Sequence, residues 1–350
     1  MKKILYVASA LAFIACGSSK LASKENDVNV DQATKYGASI TAEDLKTHLF
    51  IYASDEFEGR NTGEPGQKKA VEYLKNFYVT QKIESAIGGD DYFQEVPAEW
   101  LNKNTRRGNL KDSENVVAFI KGTEKPDEIV VISAHLDHEG IKDGKIYNGA
   151  DDDGSGTVAL LEIAQAFKMA ADEGKGPKRS ILFLHVTGEE KGLLGSKYYT
   201  ENPLFPLANT VCDLNIDMVG RTDPKRKSEN RNYIYLIGSD KLSTELHTIS
   251  EEVNKKYTNI ELDYTYNDEN DPNRFYYRSD HYNFAKHNIP IIFYFNGTHD
   301  DYHKPTDTPE KIEYDLLENR TRLVFYTAWE VANRETRIIA DKAVVKKETE

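Results

Sequence analysis

The chain has 350 residues, a formal net charge of -13 at pH 7 and 39% apolar residues. That length holds one large domain or two ordinary ones, and the apolar content supplies a core and excludes wholesale disorder. The acid excess argues against nucleic acid as a partner, because binding a phosphate backbone needs a basic surface.

The chain opens with two lysines, an apolar run from Ile4 to Ala15, and then Cys16. This is the pattern of an export signal, and the run is too short to span a bilayer. Ala15 directly before Cys16 resembles the bacterial lipobox. That resemblance implies a signal peptide over residues 1–15, cleavage before Cys16, and a lipid anchor on Cys16. A polar tether is then expected over residues 16–38. No aspartate follows Cys16, which in such lipoproteins implies the outer membrane of the cell envelope; its periplasmic or surface face is left open. Cys212 is then the single cysteine of the mature chain. No internal disulfide is available, and the apolar context TVCDLNI makes Cys212 a small buried hydrophobe. A cysteine-based zinc site is excluded by count.

Ile40 to Ala53 carries Leu45, Leu49 and Phe50 at helical spacing, with Thr41 as a cap. Glu56 to Gln67 is a glycine-rich turn, and Pro65 starts a helix over Gly66 to Tyr78. Strands are expected over Phe93 to Val96, Glu114 to Lys121 and Ile129 to Ile132. The last of these hands over to His135 and Asp137, then to a loop ending in Asp151, Asp152 and Asp153. A helix follows from Ser155 to Ala171. Ser180 to Val186 is a buried strand ending in TGEEKGLLGS, and Leu193 to Tyr199 a short helix. Thr210 to Ile216 is a strand that ends at Asp217. Tyr233 to Ile237 is a strand, Ser243 to Tyr257 a helix, and Glu261 to Tyr266 an edge strand. Ser279 to Lys286 is a short helix, Ile289 to Phe295 a strand, and Tyr314 to Arg334 the last helix, followed by a charged tail over residues 341–350. The alternation predicts one α/β domain over residues 39–340, a mixed central sheet flanked by helices on both faces.

Each apolar strand that hands over to an acid or an imidazole adds to one case. The stations are His135 with Asp137, Asp151, Glu189 with Glu190, Asp217, and His303. Each has a bland reading: a satisfied histidine, an acidic helix start, a turn cap, a surface loop. Strand ends of an open α/β sheet converge on one edge, so these groups can meet. Three adjacent carboxylates repel one another when enclosed and need a cation or donors. Mixed nitrogen and oxygen ligands suit zinc, with cobalt or manganese as substitutes. A bridging aspartate can hold two such ions for hydrolysis by a shared water.

In chain order, SAHLDH, NGADDDGSG, TGEEKGLLGS, NIDMVGR, RSDHYNFAKHNIPIIFY and DDYHKPTDT resemble the motifs of the M28 metallopeptidases. These are the co-catalytic zinc aminopeptidases related to Aeromonas leucyl aminopeptidase and aminopeptidase Y. The resemblance covers about residues 40–335 and implies a zinc-exopeptidase-like fold binding two zinc ions. By motif position, one metal is held by His135, Asp151 and Asp217, and the other by Asp151, Glu190 and His303. Glu189 is then general base and acid, and Asp137 orients His135. The resemblance also implies a cis peptide between Asp151 and Asp152, Tyr276 as the oxyanion-stabilising tyrosine, and Asp280 as a residue ordering the pocket. The implied reaction is release of N-terminal amino acids from peptides or small proteins. A carboxypeptidase, with Arg278 or Arg274 gripping the terminal carboxylate, or a glutaminyl-peptide cyclase is the alternative within this fold; a binding module with a dead site is the other class. Only about Gly88 to Ser113 lies where an inserted lid domain would sit, which is too short for one.

Overall fold

In the computed structural model, Met1 and residues 31–343 are described. Apart from Met1, the expected signal peptide, Cys16 and most of the tether lie outside the described residues, as does the tail from residue 344. The tether expected up to residue 38 ends sooner. Gln32–Gly37 is a helix, α1, that buries Ala33 and Tyr36. Tyr36 packs its ring 5.5 Å from that of Trp329 and donates its hydroxyl to Glu173. A six-residue helix shows less than two turns of periodicity, so its sequence carried no signal.

α2 (Ala42–Tyr52) starts where expected, with the Thr41 side chain accepting the Asp44 N–H. α3 (Pro65–Gln81) starts on its proline. There follow β1 (Glu84–Ser85), β2 (Phe93–Val96), an unexpected short helix α4 (Ala98–Asn104), β3 (Ser113–Ile120) and β4 (Lys125–His135). A small hairpin, β5 (Gly140–Lys142) and β6 (Lys145–Tyr147), precedes α5 (Gly156–Asp172). The rest is β7 (Arg179–Val186), α6 (Leu194–Glu201), β8 (Thr210–Ile216), β9 (Tyr233–Ile237), α7 (Thr244–Val253), β10 (Glu261–Asp263), α8 (His281–Ala285), β11 (Ile291–Phe295) and α9 (Tyr314–Asn333). The edge strand expected to Tyr266 is half as long, because Thr265–Asn267 turns.

The main sheet runs in the order β1-β3-β7-β4-β8-β11-β9-β10, with β2 paired to β3. β7, β4, β8 and β11 are mutually parallel, and β3 and β9 run against them. The parallel strands are apolar on both faces, as burial between two helical layers requires. Val130, Ile132, Ile181 and Phe183 join one core with α2, α5 and α9; Ile129, Val131, Leu182 and Leu184 face the other way, towards Tyr199 and Phe284 of α6 and α8. Free Cys212 is fully buried in the first core.

Candidate metal centre

The parallel register fixes where the chemistry collects. His135 at the end of β4 lies level with Val186 of β7, and Ser133 with Asn215 of β8. The strands therefore release His135, the Glu189–Glu190 turn and Asp217 on one edge of the sheet. The loop between β6 and α5 crosses that edge and delivers three buried aspartates.

Two groups of ligand-type atoms meet there through one residue. Oδ1 of Asp152 lies 3.1 Å from Nε2 of His135, which is also 3.7 Å from Oδ1 of Asp217. Oδ2 of Asp152 lies 3.0 Å from Nε2 of His303, which is 3.3 Å from Oε1 of Glu190. A third imidazole joins the second group: Nδ1 of His138 is 2.9 Å from Oε1 of Glu190 and 3.8 Å from Oδ2 of Asp152. Nε2 of His135, Nδ1 of His138, Oδ2 of Asp152 and Oε1 of Glu190 are buried without a hydrogen-bond partner. Buried polar atoms are rarely left so, and a cation at each group satisfies them. Imidazole nitrogen and carboxylate oxygen are the donor set that zinc takes. The residues therefore fit two divalent metal ions that share Asp152.

This corrects the expected role of Asp151. Its N–H donates to Asp307, its Oδ1 accepts the Gly220 N–H at 2.6 Å, and its Oδ2 lies 3.2 Å from Nε2 of His299. It is turned away from both groups, and Asp152 bridges instead. The cis peptide joins Asp152 to Asp153, one bond later than expected. Asp153 takes a scaffold role, accepting the N–H groups of His135, Gly156 and Met218. Its carboxylate comes so close to Gly156 that a Cβ there would lie 2.4 Å away, which accounts for the glycine.

Asp137 also acts differently. The His135 Nδ1–H faces its backbone carbonyl at 3.0 Å, whereas the nearest carboxylate oxygen is 3.9 Å away. The Asp137 carboxylate instead accepts the Thr62 hydroxyl and the Glu189 N–H, so it fixes the turn that carries the Glu-Glu pair. Asp217 is held by the Ser279 hydroxyl at 2.6 Å, itself held by Asn215. Arg60 staples the same region: fully buried, it donates to the carbonyls of Tyr52, Leu136, Asn148 and Gly149.

Two adjoining lobes open over the centre, sharing Glu189, Arg278, Tyr302 and His303. The smaller, about 30 Å³, is closed by Met218, Phe275, Phe293 and Phe295. The larger, about 270 Å³, is lined by Arg107, Gly192, Leu193 and Tyr277. Burial, with the charge of Glu190 beside it, holds the Glu189 carboxyl well above its ordinary range against the pull of His135. Tyr276 lines neither lobe. It packs beside Gly238 and under Lys241, and burial raises its hydroxyl to about 12. Tyr302 lines both lobes, its ring stacked 3.9 Å from that of His303. Asp280 is buried behind the site, accepting the Ser196 hydroxyl.

The profile of peptidase family M28 matches residues 115–328. The chain belongs to peptidase family M28. Among curated proteins of similar sequence, a probable zinc metalloprotease of Pyricularia oryzae is 34% identical over 116 residues, 32% of this M28 chain and 22% of that protein. The probable glutamate carboxypeptidase AMP1 of Arabidopsis thaliana is 37% identical over 124 residues, 35% of this chain and 17% of that one. Aminopeptidase NAALADL1 of Rattus norvegicus is 37% identical over 114 residues, 32% of this chain and 14% of that one. The M28 chain thus spans less than a quarter of the length of these relatives. Its fold is that of the Legionella pneumophila LapA aminopeptidase, with a TM-score of 0.64 and 20% identity over 87% of this chain and 75% of that one. An aminopeptidase from Aneurinibacillus gives 0.64 and 15% over 88% and 98% of the two chains. A Zn-dependent exopeptidase from Parabacteroides distasonis gives 0.63 and 18% over 83% and 98%.

His138 and His299 escaped the sequence reading. The signal for His138 was present: it follows His135 and Asp137 directly in SAHLDH.

Proposed function

We propose that this M28 chain is a di-zinc aminopeptidase that releases N-terminal residues from peptides. The observation that carries the reading is Asp152, whose two carboxylate oxygens face two separate ligand groups. His135, Asp152 and Asp217 would hold one ion. Asp152, Glu190, His303 and His138 would hold the other. Bound there, the ions supply Lewis acidity and a water acidified towards neutral pH.

The chain's own groups do the rest. Glu189 lines both lobes and takes no part in either ligand group, so its carboxylate is free to take a proton and return it to the leaving amine. The Asp137 carboxylate holds the Glu189 backbone in place. Tyr302, rather than Tyr276, lines the cavity where an oxyanion would develop, and its hydroxyl is the candidate donor. The small aromatic lobe admits one compact side chain, which suits removal of one residue at a time. The leader residues support export and a lipid anchor at Cys16, which would bring this activity to the cell envelope at the outer membrane.

The test counts metal per chain on leaderless protein and follows peptides with free, blocked and glutaminyl N-termini. Two metals and release of single N-terminal residues, lost on blocking, are expected. Cleavage indifferent to N-terminal blocking, cyclisation of glutaminyl peptides, or absence of both metal and turnover would overturn the reading.

A further inference from the structure

The larger lobe contains two arginines, Arg107 and Arg278. The chain carries 58 acidic against 45 basic residues, and several of its arginines face a carboxylate. Arg221, Arg226, Arg231 and Arg322 each do so. Arg107 and Arg278 line the cavity over the centre, and among the described residues neither has a carboxylate within 4.0 Å.

Both are nevertheless held in place. Arg107 donates Nη1 to the Glu190 carbonyl at 2.6 Å. Its segment is clamped to the same turn by the Thr105 hydroxyl on the Lys191 carbonyl, and the Arg107 N–H returns to that hydroxyl. Arg278 lies 4.8 Å over the Phe275 ring, with Nη2 3.4 Å from the Tyr302 hydroxyl. Each guanidinium keeps several N–H groups unspent. A guanidinium fork suits a carboxylate by shape as well as charge, and prior anchoring lowers the entropy lost on pairing.

We propose that Arg107 and Arg278 clamp a carboxylate of the substrate on the leaving side of the scissile bond. The enzyme would then select short anionic peptides, with one compact residue in the aromatic lobe and a carboxylate one or two positions beyond the cleaved bond. This rests on the aminopeptidase reading for its orientation. The floor of the site, with Asp152, Glu189, Glu190 and Asp217, is given over to holding the ions and moving the proton. The cationic lobe offers a place for a carboxylate set further out. The carboxylate has two sources, a peptide C-terminus or an acidic side chain, and both present the same chemistry.

The experiment uses the metal-loaded full chain. In the Glu189→Gln background, which separates binding from turnover, calorimetry compares Ala-Ala with its C-terminal amide, and Ala-Glu amide with Ala-Gln amide. The first pair reads the terminal carboxylate and the second the side chain. An anion preference of about tenfold in Kd is expected for at least one pair. It should fall towards unity in Arg278→Ala and Arg107→Ala, and persist in part in Arg278→Lys. Equal affinity for acid and amide in both pairs would overturn the proposal, as would a preference that survives both alanine variants. Turnover of an aminoacyl anilide by the wild-type enzyme tests the aminopeptidase reading separately, since that substrate has no carboxylate. Loss of that turnover with a persistent anion preference would reject the aminopeptidase reading and keep the clamp.

Discussion

Asp151 and Asp152 are adjacent in the chain and serve opposite sides of one turn. Oδ2 of Asp152 lies 3.0 Å from Nε2 of His303, and Oδ2 of Asp151 lies 3.2 Å from Nε2 of His299. Neutralising each should therefore have a different effect. Asp152→Asn should lose at least one of the two metals and essentially all turnover. Asp151→Asn should keep both metals and lose roughly 1–3 kcal/mol of stability, as expected for a disturbed buried hydrogen-bond network. Metal analysis beside thermal unfolding of the two variants checks this. Equal metal loss in both would return the bridging role to Asp151.

His138 faces Glu190 and Asp152 in the second group. His138→Ala should weaken the second metal about 10- to 100-fold and leave the first nearly as tight. Competitive titration against a chelating dye resolves the two affinities. X-ray absorption on the zinc-loaded chain should count three imidazoles over two ions in the wild type and two in the variant.

Tyr302 and Tyr276 make a paired test of the hydroxyl at the cavity. Tyr302→Phe should lower kcat about 100- to 1000-fold, the range for one oxyanion donor, with a smaller effect on KM. Tyr276→Phe should leave kcat within about twofold, because its hydroxyl lies outside both lobes. A larger loss in Tyr276→Phe would reverse the assignment.

A buried acid far from the chemistry should govern alkaline stability. Glu162 of α5 is 1% exposed, and both its side-chain oxygens lack a hydrogen-bond partner. His48 lies 3.6 Å away through Nε2, and the charge of Asp44 is near. Burial raises its carboxyl from 4.5 to about 8, with Asp44 adding to the rise. The native state thus prefers the protonated acid. Its contribution is complete below the unfolded value, declines as pH rises above it, and is gone above the folded value. The loss amounts to on the order of 4 kcal/mol across that window. Glu162→Gln should flatten the fall, so the variant gains on the wild type in denaturant titrations from pH 5 to pH 8.5. Parallel curves would show that Glu162 is not the group responsible.

The parallel strands and their polar ends were readable because each is a short apolar run that stops at a charged or imidazole group. Thr210–Ile216 and Tyr233–Ile237 even match to the residue. The acid register was not readable in the same way. ADDDG offers three chemically identical candidates, and only the turn of the loop decides which carboxylate faces the histidines. The family resemblance carried the right segment with the wrong residue. Tyr276 failed for a related reason. Three residues, Phe275–Tyr277, form a single tight turn, and its rotation sends Tyr276 to the aromatic core and Tyr277 to the cavity. The helix α4 was hidden because Gly88 to Ser113 mixes polar residues with few apolar anchors; Leu101 alone is buried in it.

The Arg60 staple sets the smallest piece of this chain that could carry the chemistry. The stretch matching the family profile begins at residue 115, yet the guanidinium that spans the carbonyls of Leu136, Asn148 and Gly149 comes from residue 60, and the hydroxyl on Asp137 from residue 62. A fragment cut at the profile boundary would expose those carbonyls and release the turn that presents Glu189. The glycine-rich segment ahead of α3 is therefore part of the site's frame, and any excised version of the domain must reach back to include it.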